Sequence, residues 1–292
     1  MKTLFNSKLV FVLVALLWVT TSCQKEHSFL NNGTPNTGQS DFMKGALVQN
    51  QFDDMCDIID NSYSNSSSSS KISDQNDFAS FINSCGTVTI DTISFPRVIT
   101  IDFGPTNCLS KDGHLRRGKL IATFAGAYRT PGSVTTYSTL NYYQDNIKLD
   151  VNRTVTNLGY ITDKIGSNLN FSISEYVKIT LPLGLGSITQ QSEINRQWIK
   201  GDGTSTSNDD EYLLTGGHTT DLSNGTQFDA EIKVPLHKFN SYPFYTSGDE
   251  KVSSTGSSPM SYIIDYTYPN GDQDDQALVT YSTGQSEVIQ LK

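Results

Sequence analysis

The chain has 292 residues, of which 36% are hydrophobic and 17% charged, and a formal net charge of −9. Residues 1–22 contain Lys2 and Lys8 and no acid, so without them the charge falls to −11. That balance argues against nucleic acid and anionic headgroups as partners, and the length suits one large β domain or two smaller ones.

Met1–Ser22 reads as a targeting segment. Lys2 and Lys8 flank the start of Leu9–Val19, an apolar run of signal-peptide length that is too short to span a bilayer. It ends in Thr20-Thr21-Ser22-Cys23. Small residues before a cysteine resemble the lipobox of bacterial lipoproteins. The resemblance implies cleavage before Cys23, diacylation of its thiol and acylation of the new amine. Thr20 departs from the Leu preferred at that place. The other reading is an ordinary secretory signal with an unrelated cysteine. Two or three acyl chains anchor durably where one is marginal.

Residues 23–40 are polar, aperiodic and rich in Gly and Pro, and are expected to form a flexible tether. Residues 41–84 hold the one good helix candidate. Ser40-Asp41 can cap it, and Phe42, Leu47, Phe52, Met55, Cys56 and Ile59 recur at helical spacing. The low-complexity Tyr63–Ser70 ends it, and a short amphipathic piece follows at Asp77–Ser84.

Residues 85–292 are expected to be all-β. In Val98–Phe103, Ile99, Ile101 and Phe103 alternate with Val98, Thr100 and Asp102, the period of a strand buried on one face. Lys119–Phe124 repeats it with Leu120, Ala122 and Phe124. Asp112-Gly113 between them suits a tight turn, which predicts a hairpin over residues 98–125. About a dozen such strands follow Gly86. That number favours an antiparallel meander forming a sandwich, a curled sheet or a barrel. Leu183–Gly186 (LGLG) is a candidate subdivision, near residue 184. Export permits a disulfide. Cys85 precedes one strand and Cys108 follows the next, so these two are the expected pair, contributing roughly 3 kcal/mol in the chain-entropy model. Cys56 is left over, on the helix.

Candidate chemistry is sparse. Gly113–Lys119 matches the start of a phosphate-binding loop, but Leu120 stands where Ser or Thr is needed and a strand follows where a helix should. Arg116, Arg117 and Lys119 are left as a basic cluster at a strand entrance, with an anionic ligand as the alternative. Asp272, Asp274 and Asp275 offer hard oxygens for calcium, and Asn208–Glu211 is a second acidic loop; solvated hairpin tips are the plainer reading. His27, His114, His218 and His237 show no zinc spacing. No nucleophile elbow is present, and Glu175, Glu193, Glu211 and Glu231 cannot be paired from sequence for glycoside hydrolysis. Tyr142, Tyr143 and Trp198 could stack on a sugar or peptide, although Tyr is also an ordinary strand residue.

Ile99–Cys108 (ITIDFGPTNC), Asp112-Gly113, Arg117–Lys119 (RGK), Asn141–Tyr143 (NYY) and Arg153–Gly159 (RTVTNLG) resemble a group of lipoproteins common in Bacteroidota, over roughly residues 85–240. The resemblance implies a lipobox, a polar tether and an all-β body. It implies no activity and no catalytic residues. Asp91-Thr92-Ile93 has the form of the O-glycosylation site used in that phylum. The expectation is a lipid-anchored, non-enzymatic protein of the cell envelope, at the outer membrane. It would bind a glycan or another envelope protein or serve a structural role, with no cofactor unless calcium. A carbohydrate-active hydrolase is the alternative.

Overall fold

A computed structural model of the chain describes residues 85–91, 93–204, 206, 208–256, 259–271 and 273–291. Cys23, the tether, the expected helix, Cys56 and Thr92 lie outside these residues.

The described chain is all-β. Its strands are β1 (Thr87–Asp91), β2 (Arg97–Asp102), β3 (Cys108–Leu109), β4 (Leu115–Ala125), β5 (Val134–Gln144), β6 (Ile147–Thr162), β7 (Ser167–Thr180), β8 (Ser187–Lys200), β9 (Glu211–Leu222), β10 (Gln227–Phe239), β11 (Tyr245–Ser254), β12 (Ser261–Asp265), β13 (Gln276–Tyr281) and β14 (Ser286–Gln290). All fourteen belong to one antiparallel sheet, in which each strand lies beside its predecessor except that β3 sits off the path against the start of β4. This is the expected meander. It forms one sheet, not two, and among the described residues it does not close into a barrel: β1 and β14 are its two edges. The LGLG stretch is no boundary in the pairing. It forms the turn between β7 and β8, where the Leu181 N–H donates to the Gly186 carbonyl.

The period-two pattern translates directly into burial. Ile99 and Ile101 of β2 stand opposite Ala122 and Leu120 of β4, and all four are at most 1% exposed. Removing such side chains from water stabilises the fold by about 1.5–3 kcal/mol for each large one. The same parity runs through Leu149, Val151 and Val155 of β6, then Leu169, Phe171, Ile173, Val177 and Ile179 of β7, and joins one core with β8 to β13. The opposite face carries the polar half of each strand.

β11 departs from the pattern expected of a strand. Its core-facing residues are Thr246, Gly248, Glu250, Val252 and Ser254, with one apolar side chain among them. Pairing on both sides, to β10 and β12, holds it in place. Three irregularities cross this part of the sheet. Gly216 of β9 has φ +118°, β10 carries a bulge between Glu231 and Leu236 that houses Pro235, and Gly248 of β11 also has positive φ. Bulges and glycines of this kind bend strands and increase twist, and a bulge is where a strand tolerates proline.

Cys85 and Cys108 form the expected disulfide, with Cα atoms 5.5 Å apart across a sequence separation of 23. It ties Cys85, two residues before β1, to the first residue of β3. Proteolysis without reductant is therefore expected to release one cross-linked peptide containing both cysteines, and reductant to split it. Recovery of Cys85 and Cys108 as separate alkylated peptides from unreduced protein would contradict the pairing.

Candidate functional site

The polar face of the sheet is not uniform. Across β6 to β11 it sinks into an open trough of about 700 Å³. Strand register decides its make-up. One row runs Asn152, Tyr176, Gln191, Thr219, Asp229, Ser253, each residue standing opposite the next on the adjoining strand. The neighbouring row runs Thr154, Ser174, Glu193, Gly217, Glu231, Lys251. Cross-strand neighbours stand about 4.5–5.5 Å apart, so each row is a near-continuous strip of amides, hydroxyls and carboxylates.

Two contacts fix parts of the strip. The Ser174 hydroxyl donates to Glu193 at 2.6 Å, and the Thr219 hydroxyl donates to Asp229 at 2.9 Å. Lys233 forms an ion pair with Glu231. Tyr176 is 38% exposed and offers part of its ring to the trough. Gly217 leaves a gap between Glu193 and Glu231. Two strand spacings put those backbones roughly 10 Å apart, and no side chain rises between them. Gly217 is held small by its surroundings: a Cβ there would lie 2.2 Å from the Ala230 carbonyl oxygen.

The opposite, core-facing side carries its own polar row under the trough: Tyr137, Arg153, Glu175, Ser192 and His218 stand in register from β5 to β9. Arg153 lies 3.8 Å from Glu175, and His218 lies 3.6 Å from Glu250. Tyr266 donates to Glu250 at 3.4 Å; burial, reinforced by the Glu250 charge, raises its phenol well above the ordinary value. This row fastens the sheet from within.

The residues singled out in the sequence are scattered. Tyr142 is fully buried, packs on Phe103 and donates to Gln144 at 3.0 Å. Trp198 is buried between Phe171 and Tyr212. Neither ring is offered to a ligand. Only Tyr143 lies on the polar face, half-buried under the Arg117 guanidinium 3.7 Å above it. Of the three carboxylates considered for calcium, Asp272 lies outside the described residues. Asp274 accepts the Gln276 N–H at 2.8 Å, an ordinary turn contact. Among the described residues no group of three His, Cys, Asp or Glu side chains converges as a metal site.

Gly113–Lys119 runs into strand β4, and its basic residues are engaged. Arg116 is fully buried and pairs with Asp112 at 2.7 Å, Arg117 donates to Asn107 and Asn146, and Lys119 pairs with Asp102 at 2.8 Å. The histidines that fall on described residues meet separate acids: His114 with Asp145 at 2.6 Å, His237 with Glu211 at 3.2 Å, and His218 with Glu250. Of the four glutamates, Glu193 and Glu231 share the trough, Glu175 faces the core, and Glu211 pairs with Lys200. Asn152, Gln191, Thr219 and Asp229 belong to no motif in the sequence. Alternation identifies them as outward residues, but only register brings them together.

No protein-family model matches the chain, no curated protein matches it, and no solved structure matches it.

Proposed function

We propose that the chain is a lipid-anchored envelope protein, exported by residues 1–22 and held by Cys23, whose β body is a binding module for polyhydroxylated chains such as glycans. The sheet is taken to curl over its own apolar face, which leaves the polar face free for the ligand. The observation that carries the reading is the in-register row Asn152–Tyr176–Gln191–Thr219–Asp229 along a trough about 700 Å³ in volume. Amides and carboxylates satisfy sugar hydroxyls in both donor and acceptor sense. A partly exposed tyrosine ring gives an apolar sugar face something to lie on. An extended trough across six strands suits a chain better than a single small molecule.

Calorimetric titration of the chain with a panel of soluble polysaccharides is expected to find a binder. Gln191→Ala and Tyr176→Ala should each weaken it about tenfold, or about 1.4 kcal/mol. Affinity left unchanged by both substitutions would remove the trough from the reading. In cells, Cys23→Ser should move the protein from the membrane to the soluble fraction; an unmodified Cys23 would refute the anchor.

The gap at Gly217 favours one second reading, a glycoside hydrolase with Glu193 and Glu231 as its acids across the opening. Release of reducing ends, abolished by Glu193→Gln or Glu231→Gln, would establish it. Binding without release leaves the protein as a binding module.

A further inference from the structure

The trough is charged as well as polar. Of its lining residues that face outward, Glu193, Asp229 and Glu231 carry negative charge, and among the described residues Lys251 alone carries positive charge. Glu231 has cations close by: Lys233 pairs with it, and Lys251 stands opposite it on β11. Glu193 and Asp229 are different. Each accepts one hydroxyl hydrogen bond on one carboxylate oxygen, from Ser174 and from Thr219. Among the described residues neither forms an ion pair. Elsewhere on this face carboxylates meet cations, as Asp102 meets Lys119 and Asp150 meets Lys148.

The two unpaired carboxylates are held apart. Glu193 is on β8 and Asp229 on β10, with β9 between them, so their backbones stand roughly 10 Å apart. Glu193 is drawn toward β7 by Ser174, and Asp229 toward β9 by Thr219. A calcium ion needs its oxygens at about 2.3–2.6 Å, so in this arrangement one ion does not draw on both. Separate monovalent cations carried on one extended molecule suit them better. Gly217, opposite Glu193, keeps the floor low beside them, and the Tyr176 ring lies along the same trough.

We propose that the ligand of the trough is an amino-sugar chain, a polymer of hexosamines with free, protonated amines, and that Glu193 and Asp229 each meet the ammonium of a different sugar unit. The inference rests on the reading of the trough as a glycan-binding surface and adds the class of glycan. An ammonium offers three donors, and each of the two carboxylates keeps an oxygen that no hydroxyl occupies. Charge-assisted hydrogen bonds of this kind are roughly twice as strong as neutral ones. The same acids, on a chain of net charge −9, repel uronate and sulfate polymers. Acetylation of the amines removes their charge and with it both ionic contacts.

Calorimetric titration of the full chain with two hexamers tests the proposal: glucosamine hexamer and its fully N-acetylated counterpart, in mildly acidic buffer that keeps the amines protonated. The glucosamine hexamer is expected to bind at least tenfold more tightly. The double variant Glu193→Gln/Asp229→Asn should bind the two alike. In the wild type the preference should also fade as pH rises and the amines lose their protons, which decides the matter should the double variant fail to fold. Oligolysine, which has charge but no sugar face for Tyr176, should bind at least tenfold more weakly than the glucosamine hexamer. Equal binding of the two hexamers by the wild type, a preference that survives the double substitution or the loss of the amine protons, or oligolysine binding as tightly as the sugar would each overturn the assignment. Should the hexamers bind equally and Gln191→Ala and Tyr176→Ala still weaken them, the trough stands as a glycan site and only the amino-sugar class falls. Should no glycan bind at all, both fall.

Discussion

Gly216→Ala is expected to destabilise the fold by about 4 kcal/mol, at the upper end of what single substitutions do. Two effects add. Gly216 has φ +118°, a backbone conformation that L side chains rarely adopt. A Cβ at this position would also lie 2.1 Å from the Glu193 carbonyl oxygen and 3.2 Å from the Ile194 Cα. Both are backbone atoms of β8 and cannot swing away as a side chain would. Relief requires parting β8 from β9 in the middle of the sheet, beside the trough floor at Gly217. For a domain of this size the melting temperature should fall by roughly 10 °C, at 2–4 °C per kcal/mol. A loss below about 1 kcal/mol in urea unfolding would mean that the bend at β9 is not as described.

Asp112→Asn is expected to cost about 3 kcal/mol. Arg116 is fully buried, and Asp112 presents both carboxylate oxygens to it at 2.7 and 2.8 Å. Removing one partner of a buried pair leaves a desolvated charge, which typically costs 3–5 kcal/mol. The lower end applies because the Asp112 side chain is 32% exposed and water can approach from its side. The pair should also show in the pH dependence. Burial alone would raise the Asp112 carboxyl, but the hydrogen bond from Arg116, with its charge, outweighs this and holds the group below its ordinary 3.8. A lowered folded-state value stabilises fully above the unfolded value, and the contribution disappears as pH falls through the folded one. The stability gap between wild type and Asp112→Asn should therefore be constant near neutrality and narrow below pH 3.8. A gap that stays constant into strong acid would show that Asp112 and Arg116 do not depend on each other's charge.

Much of this architecture could be read from the residues, because one-sided burial writes a period of two into each strand. Ile99, Ile101 and Phe103 are all buried on one face, as their alternation requires. The disulfide was legible too, since Cys85 and Cys108 bracket the first two strands. β11 was not. It spells Tyr-Thr-Ser-Gly-Asp-Glu-Lys-Val-Ser-Ser, with Val252 the lone apolar residue facing inward, and it owes its extended form to neighbours already in place. By residue type Tyr142 and Trp198 are rings able to hold a sugar. They share strand parity with buried Gln144 and Ile188, however, and serve the core instead. The trough was illegible for a different reason. Its rows cross six strands, and which side chains stand abreast depends on every register and bulge between β6 and β11.

The order of the strands also bears on how the molecule is made. From β4 to β14 every strand zips onto the one synthesised just before it. The ring closures needed are short, so little chain entropy opposes each step. A polypeptide emerging from a narrow pore with its amino end first can thus assemble as it comes. Each new ribbon docks on a finished template, and among the described strands from β4 onward none has to wait, unpaired and sticky, for a partner still to arrive.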